Sequence, residues 1–163
     1  MLILRMAGIE DVPVIAKLIS ELADFEKRSE QVRTTEADIS RDGFGKRPEF
    51  RALIAEWHGA TAGFALFCTH YSSWRGAGLY LDDLFVRPTF RGRGIGTALL
   101  AGVARLADQE NRGFIRWVVL DWNDTAIALY GKLGADFLDQ WRTVVLAGES
   151  LKRLTEYVSV PGR

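Results

Sequence analysis

A single cysteine, Cys68, occurs in the sequence, so no disulfide can close within the chain and a reducing cytoplasm is the expected compartment. Cys68 lies in the apolar run "AGFALFCTHY" with no base evident beside it. It reads as a buried core thiol rather than a nucleophile. Histidine is almost as scarce. His58 and His70 show no ligand spacing with each other or with Cys68, so no metal is expected. Neither sign of charge is in excess: 21 basic and 21 acidic residues cancel, which removes any global attraction to nucleic acid or an anionic membrane. No apolar run approaches a membrane span, and "MLILRM" is too short before Arg5 for a signal-peptide core.

What is present suits one globular domain over 1–163: hydrophobic residues make up 48% and charged residues 26% of a chain long enough to bury a core. Residues 2–6 read as a short strand. From Ile9 to about Lys27, apolar residues recur at three- and four-residue steps (Val14, Ile15, Leu18, Ile19, Leu22, Phe25), which predicts an amphipathic helix with Pro13 in its first turn. "TTEADISRDGFG" predicts a second helix, with Thr35 and Asp38 as a capping box and Gly43 as its end. Three strand-like runs follow, "RALIAEW", "TAGFALFCTHYS" and "GLYLDDLFVRP", with a turn at "HGAT" and a stop at Pro88. A helix from the glycine stretch to about Gln109 presents Ile95, Leu99, Leu100, Val103 and Leu106. "FIRWVVLD" then reads as a buried strand, "NDTAIALYGKLG" as a helix closed by Gly134, "ADFL" and "WRTVVLA" as closing strands, and "ESLKRL" as one more helical turn. The predicted order βααβββαβαββ is that of an α/β (α+β) domain with helices packed on a central sheet.

The stretch "RGRGIGTALL" places glycine at every second position in front of a helix. A strand, a glycine-rich turn and a helix start make an anion site: free backbone N–H groups point outward, the helix dipole adds about half a positive charge, and no β-carbon blocks a phosphate. The run lacks the Gly-Lys-Ser/Thr ending of a Walker loop. It also fails the dinucleotide fingerprint, because Thr97 and Leu99 stand where the third glycine belongs. A tight turn with solvated arginines is the plain alternative.

With its flanks, "LDDLFVRPTFRGRGIGTALL" resembles the pyrophosphate loop of the GCN5-related N-acetyltransferase (GNAT) family, whose motif Q/R-x-x-G-x-G/A is matched by Arg91, Gly94 and Gly96. "VLDWNDTAIALYGKLGAD" is similar to the family's later strand, Asn and helix. The words "EQV", "EADI", "DGFG", "LYLDDLFV" and "WNDTAIALY" resemble, in order, the spermidine/spermine (diamine) acetyltransferase subfamily. The resemblance implies the GNAT fold, a mixed and mostly antiparallel sheet of about seven strands flanked by about four helices. It implies acetyl-CoA as co-substrate, with no metal, and a small-molecule amine as partner. No nucleic acid or membrane partner is expected, and a homodimer is.

The resemblance also implies site residues. Phe85, Val86, Arg91, Gly92, Arg93, Gly94, Ile95, Gly96 and Thr97 would meet the cofactor, together with Asn123 and Tyr130. Tyr130 would protonate the leaving thiolate; the plain alternative is a core aromatic with its hydroxyl at the surface. Asp82 matches a subfamily glutamate acting as a base through water, one methylene shorter here. Asp83 matches an amine-binding aspartate, and strand alternation predicts that Asp82 and Asp83 point to opposite faces. Phe25, Glu26, Trp74, Asp139 and Trp141 fall where the subfamily holds its amine, whereas Ser72 replaces an acid of the polyamine enzymes. Asn123 is also a helix N-cap candidate. The expected activity is acetyl transfer to the primary amine of a diamine, polyamine or lysine-like amino acid by direct attack. A protein or peptide acetyltransferase and a non-catalytic acyl-CoA or nucleotide-binding module are the alternatives.

Overall fold

In β2 (Arg51–Trp57) and β3 (Ala60–Ser72) buried residues follow one another without alternation. Such strands need cover on both faces. The structure, a computed structural model that describes residues 1–157, supplies it. The chain divides into two compact units, Met1–Val118 and a second beginning at Val119.

The first unit is a five-stranded sheet in the order β1-β2-β3-β4-β5, with β1 at Leu2–Met6, β4 at Gly76–Val86 and β5 at Ile115–Arg116. Neighbours are antiparallel except β4 and β5, which run parallel and are joined through α3 (Ile95–Gln109). One face carries α1 (Val12–Phe25) and α2 (Glu36–Phe44): Ile15, Leu18 and Ile39 pack with Ile54, Phe64, Leu66 and Phe85. On the other face α3 comes so close that a Cβ at Gly102 would sit 2.8 Å from Leu53 Cδ1. Ile95, Leu99 and Val103 are fully buried there. Within the described residues no helix is long and apolar enough to cross a membrane.

Local signals act as the residue types require. Thr35 and Asp38 form the capping box of α2, Asp38 N–H donating to Thr35 Oγ1 at 3.2 Å and Thr35 N–H to Asp38 Oδ2 at 3.0 Å. Gly43 does not end that helix. It lies inside α2 against the Phe50 ring, and Gly45 is the cap. His58 and Gly59, at φ 50° and 81°, make a two-residue hairpin turn that pairs Trp57 with Ala60. Arg87 ties α1 to the sheet with a bidentate pair to Glu21 (2.7 and 3.0 Å) and a hydrogen bond to the Thr61 carbonyl at 2.9 Å.

The second unit contains α4 (Asp124–Lys132) and α5 (Gly148–Thr155). Asn123 caps α4, accepting from the Ala126 N–H at 3.3 Å, and Gly134 at φ 80° closes it. Three expectations are corrected. "FIRWVVLD" pairs only at Ile115–Arg116, and neither "ADFL" nor "WRTVVLA" joins a ladder, so the described residues hold five strands rather than about seven. The described α-helices number five, α5 being a full two turns. Cys68 is half-buried rather than buried.

Helix α1 ends in a Schellman motif: Arg28 N–H reaches the Ala23 carbonyl at 2.8 Å and Lys27 N–H the Asp24 carbonyl at 3.1 Å. The motif's left-handed position, usually glycine, is the exposed Lys27 at φ 58°. A β-carbon there costs about 1–2 kcal/mol, partly offset by its lower unfolded-state entropy. Lys27→Gly should therefore raise stability by about 0.5–1 kcal/mol, read as a higher urea midpoint at unchanged slope.

Candidate active site

The site residues of the first unit descend from one irregularity in β4. Asp83 opposes Leu66 while Leu81 opposes Phe67, so Asp82 is an extra residue, a β-bulge. The bulge reverses which face the following side chains meet. Leu81 shares a face with Phe67, but Asp83 and Phe85 lie on the face of Leu66, toward α1 and α2. Simple alternation is thereby broken between Leu81 and Asp83.

The electrostatics follow. Asp83 is pushed up to about 7, first by burial, then by the charges of Asp82 and Glu26. Burial raises Asp82 and Glu26 as well. Tyr80 and Cys68, paired across β3 and β4, are raised by burial and by Asp82. Glu26, Asp82 and Asp83 thus form one acidic cluster beside the end of α1. An acid held protonated in the fold destabilises it once the unfolded chain can ionise. Between about pH 4 and 7 the native state binds more protons at Asp83, so its contribution to stability falls as pH rises. Asp83→Asn should relieve up to about 4 kcal/mol at pH 8 and far less at pH 4, measured by denaturant unfolding at both.

Beyond the cluster the chain reaches the glycine stretch. Pairing of β4 with β5 stops after Leu79↔Ile115 and Tyr80↔Arg116, so Leu81–Val86 has no strand on that side among the described residues. Past Pro88–Phe90, a 3-10 turn, Gly92 and Gly94 take φ of 74° and 75°. Both positions face open space, with nothing within 4 Å of where a Cβ would stand. Ala98 N–H is the first helical donor, to the Gly94 carbonyl at 2.9 Å, so the amides of Ile95, Gly96 and Thr97 lead α3 without intrahelical partners. Arg91 donates its Nε–H to the Val86 carbonyl at 2.9 Å, and its guanidinium lies 4.5 Å from the Phe25 ring centre and 5.8 Å from that of Phe85. Arg93 sits 5.5 Å over Trp57. Bare glycines, leading amides and two arginines fit a pyrophosphate.

Phe25, Glu26, Asp82, Asp83, Phe85, Val86 and the run Arg91–Thr97 therefore share one end of the first unit. Trp74 does not join them. It is 84% exposed at the β3–β4 hairpin tip, about 20 Å along the strands from Asp83. Asn123, Tyr130, Asp139 and Trp141 belong to the second unit. Tyr130 is 7% exposed and its hydroxyl is raised by burial, while Asp139 and Trp141 are exposed. Sequence reasoning missed the bulge and the Arg91–Phe25 stack. The doubled acid inside an apolar strand was the only local signal for the first, and the second has none.

Residues 16–135 match the model of the acetyltransferase (GNAT) family, and the chain belongs to that family and is an acyltransferase of its kind. It is 37% identical over 162 residues to a thialysine N-epsilon-acetyltransferase of Bos taurus, covering 93% of this chain and 95% of that one. It is 37% identical over 139 residues to a human spermidine/spermine N(1)-acetyltransferase-like protein 1, covering 81% of this chain and 20% of that one. The fold is also that of a "predicted acetyltransferase" of Clostridium acetobutylicum solved with acetyl-CoA, at a TM-score of 0.73 and 20% identity over 90% of this chain and 97% of that one. In Gly94→Asp a carboxylate would occupy the open approach to the loop. Affinity for acetyl-CoA, measured by calorimetry, should fall at least about a hundredfold with the fold retained.

Proposed function

We propose that the protein transfers the acetyl group of acetyl-CoA to the side-chain amine of a small cationic substrate, a lysine-like amino acid such as thialysine before a long polyamine. The observation that carries this reading is the acidic cluster of Glu26, Asp82 and Asp83, set at the bulge of the strand that leads into the glycine loop. Carboxylates of that kind draw an ammonium in, and the likeness to a thialysine N-epsilon-acetyltransferase along 93% of this chain supports the compact acceptor.

The chemistry needs an uncharged amine, a stabilised oxyanion and a protonated leaving thiolate. In this reading the solvent-accessible Asp82 takes the amine proton through a water, and Asp83 holds the second cationic group. The amine nitrogen then bonds to the thioester carbon, the carbon–sulfur bond breaks, and the buried Tyr130 hydroxyl gives its proton to the sulfur. The loop amides of Ile95 to Thr97, with Arg91 and Arg93, hold the pyrophosphate; Phe85, Val86 and Asn123 hold the cofactor arm. On the subfamily resemblance Asp139 and Trp141 are assigned to the amine. On its single cysteine we assign the protein to the cytoplasm, and on the subfamily resemblance to a homodimer.

An acceptor screen that reads free thiol release from acetyl-CoA tests the reading. Thialysine and lysine should exceed spermine and a lysine-containing peptide in kcat/KM. Preference for the peptide overturns the acceptor class. In the same assay Tyr130→Phe should lower kcat about 10²–10⁴-fold while acetyl-CoA affinity stays within about twofold. Wild-type turnover would remove Tyr130 from the mechanism.

A further inference from the structure

Arg91 is a cation without an anion. Among the described residues it takes part in no ion pair, although eight other contacts of arginine and lysine to carboxylates are made. Its side chain instead bends back from the glycine loop. One nitrogen is fixed on the Val86 carbonyl, and the guanidinium lies over the Phe25 ring, 4.5 Å from its centre, with the Phe85 ring 5.8 Å away. Phe25 is the last residue of α1 and precedes Glu26; Phe85 lies two residues after Asp83 on the same face of β4. The aromatic surface that Arg91 covers therefore borders the acids on two sides. A cation over an aromatic face beside carboxylates is the contact a cationic amine would seek. The molecule supplies that contact from its own loop.

We infer that Arg91 is a placeholder: in the free protein its guanidinium occupies the Phe25 face that the acceptor's ammonium takes, and it gives up that face when its charge is drawn to the pyrophosphate at Gly92–Gly96. Arg91 is attached directly to Gly92, the first left-handed residue of the loop, so a modest turn of its side chain exchanges one contact for the other. Two consequences follow from linkage. The acceptor seat is built only after the loop is filled, which orders binding with the cofactor first. Each ligand then strengthens the other by the same factor. The inference rests on the amine acceptor proposed above, so its test has an arm that needs no acceptor.

That arm is a calorimetric titration of CoA itself, which cannot react. Leaving Phe25 costs Arg91 its stacking, a contact worth about three- to thirtyfold in a binding constant. Phe25→Leu removes that cost, so CoA should bind the variant tighter than wild type by about threefold or more. Unchanged or weaker binding of CoA to Phe25→Leu overturns the placeholder, because a ring that merely supported the loop would weaken it when lost. The second arm titrates thialysine into protein alone and into protein saturated with CoA. Wild type should bind thialysine about fivefold or more tighter with CoA present. Arg91→Gln should bind it tighter than wild type in the absence of CoA, and Phe25→Leu should bind it weakly in both states. Equal thialysine affinity with and without CoA, together with no gain in Arg91→Gln, overturns the inference. Thialysine that binds no form, while CoA binds Phe25→Leu more tightly, overturns the acceptor class and leaves the exchange of Arg91 standing.

Discussion

The extra residue in β4 is the constraint on which the working end of the sheet depends. Up to Leu81 the strand alternates in phase with β3 and gives Leu79 and Leu81 to the α3 side. After Asp82 the phase is reversed, and Asp83 and Phe85 turn toward α1. A strand without the bulge would bury Asp83 beside Leu81 in the apolar layer under α3, at a cost of several kcal/mol for an unpaired charge. With it, the acids meet the end of α1, where Glu26 and Phe25 stand. The same shift sends Val86 and Arg87 into the connection that sets the glycine loop in front of α3. Arg87, clamped to Glu21 and the Thr61 carbonyl, ties α1 to that connection.

Much of this was legible in the residues. The apolar steps of α1, the capping box at Thr35, the stop at Pro88 and the glycines before Ile95 are local signals whose physics acts within a few residues, and each one appears in the fold. What was not legible depends on partners distant in the chain. A bulge is a statement about two strands, since Asp82 becomes extra only because Leu66 and Phe67 take Asp83 and Leu81. The stack of Arg91 on Phe25 joins the loop to a helix end that no spacing rule connects to it. "WRTVVLA" has the composition of a strand, yet a strand needs a neighbour to pair with, and the described residues give it none. Its apolar residues stand open, Val144 at 87% exposure. Gly43 misled for a related reason: glycine was read as a helix end, but here it makes room for the Phe50 ring.

In the proposed function the backbone and the side chains of the glycine loop divide the work of holding an anion. The left-handed turns at Gly92 and Gly94 aim the leading amides outward and leave their approach open, a purely geometric contribution. The charge comes from arginines that the rest of the fold keeps on aromatic supports, Arg91 on Phe25 and Arg93 on Trp57. Neither is neutralised by a neighbouring carboxylate among the described residues, so both remain available to a ligand.

The stretch of β4 from Leu81 to Val86 also has a bearing on how the molecule behaves in a crowded solution. A row of open backbone groups is a template onto which a strand of another molecule can dock, and a flat apolar edge there would seed aggregates. Asp82 makes this edge neither flat nor apolar. The bulge interrupts the even spacing that a foreign strand would have to match, and the exposed Asp82 sets a carboxylate beside it. The acids at the bulge are in this sense also guards against edge-to-edge pairing.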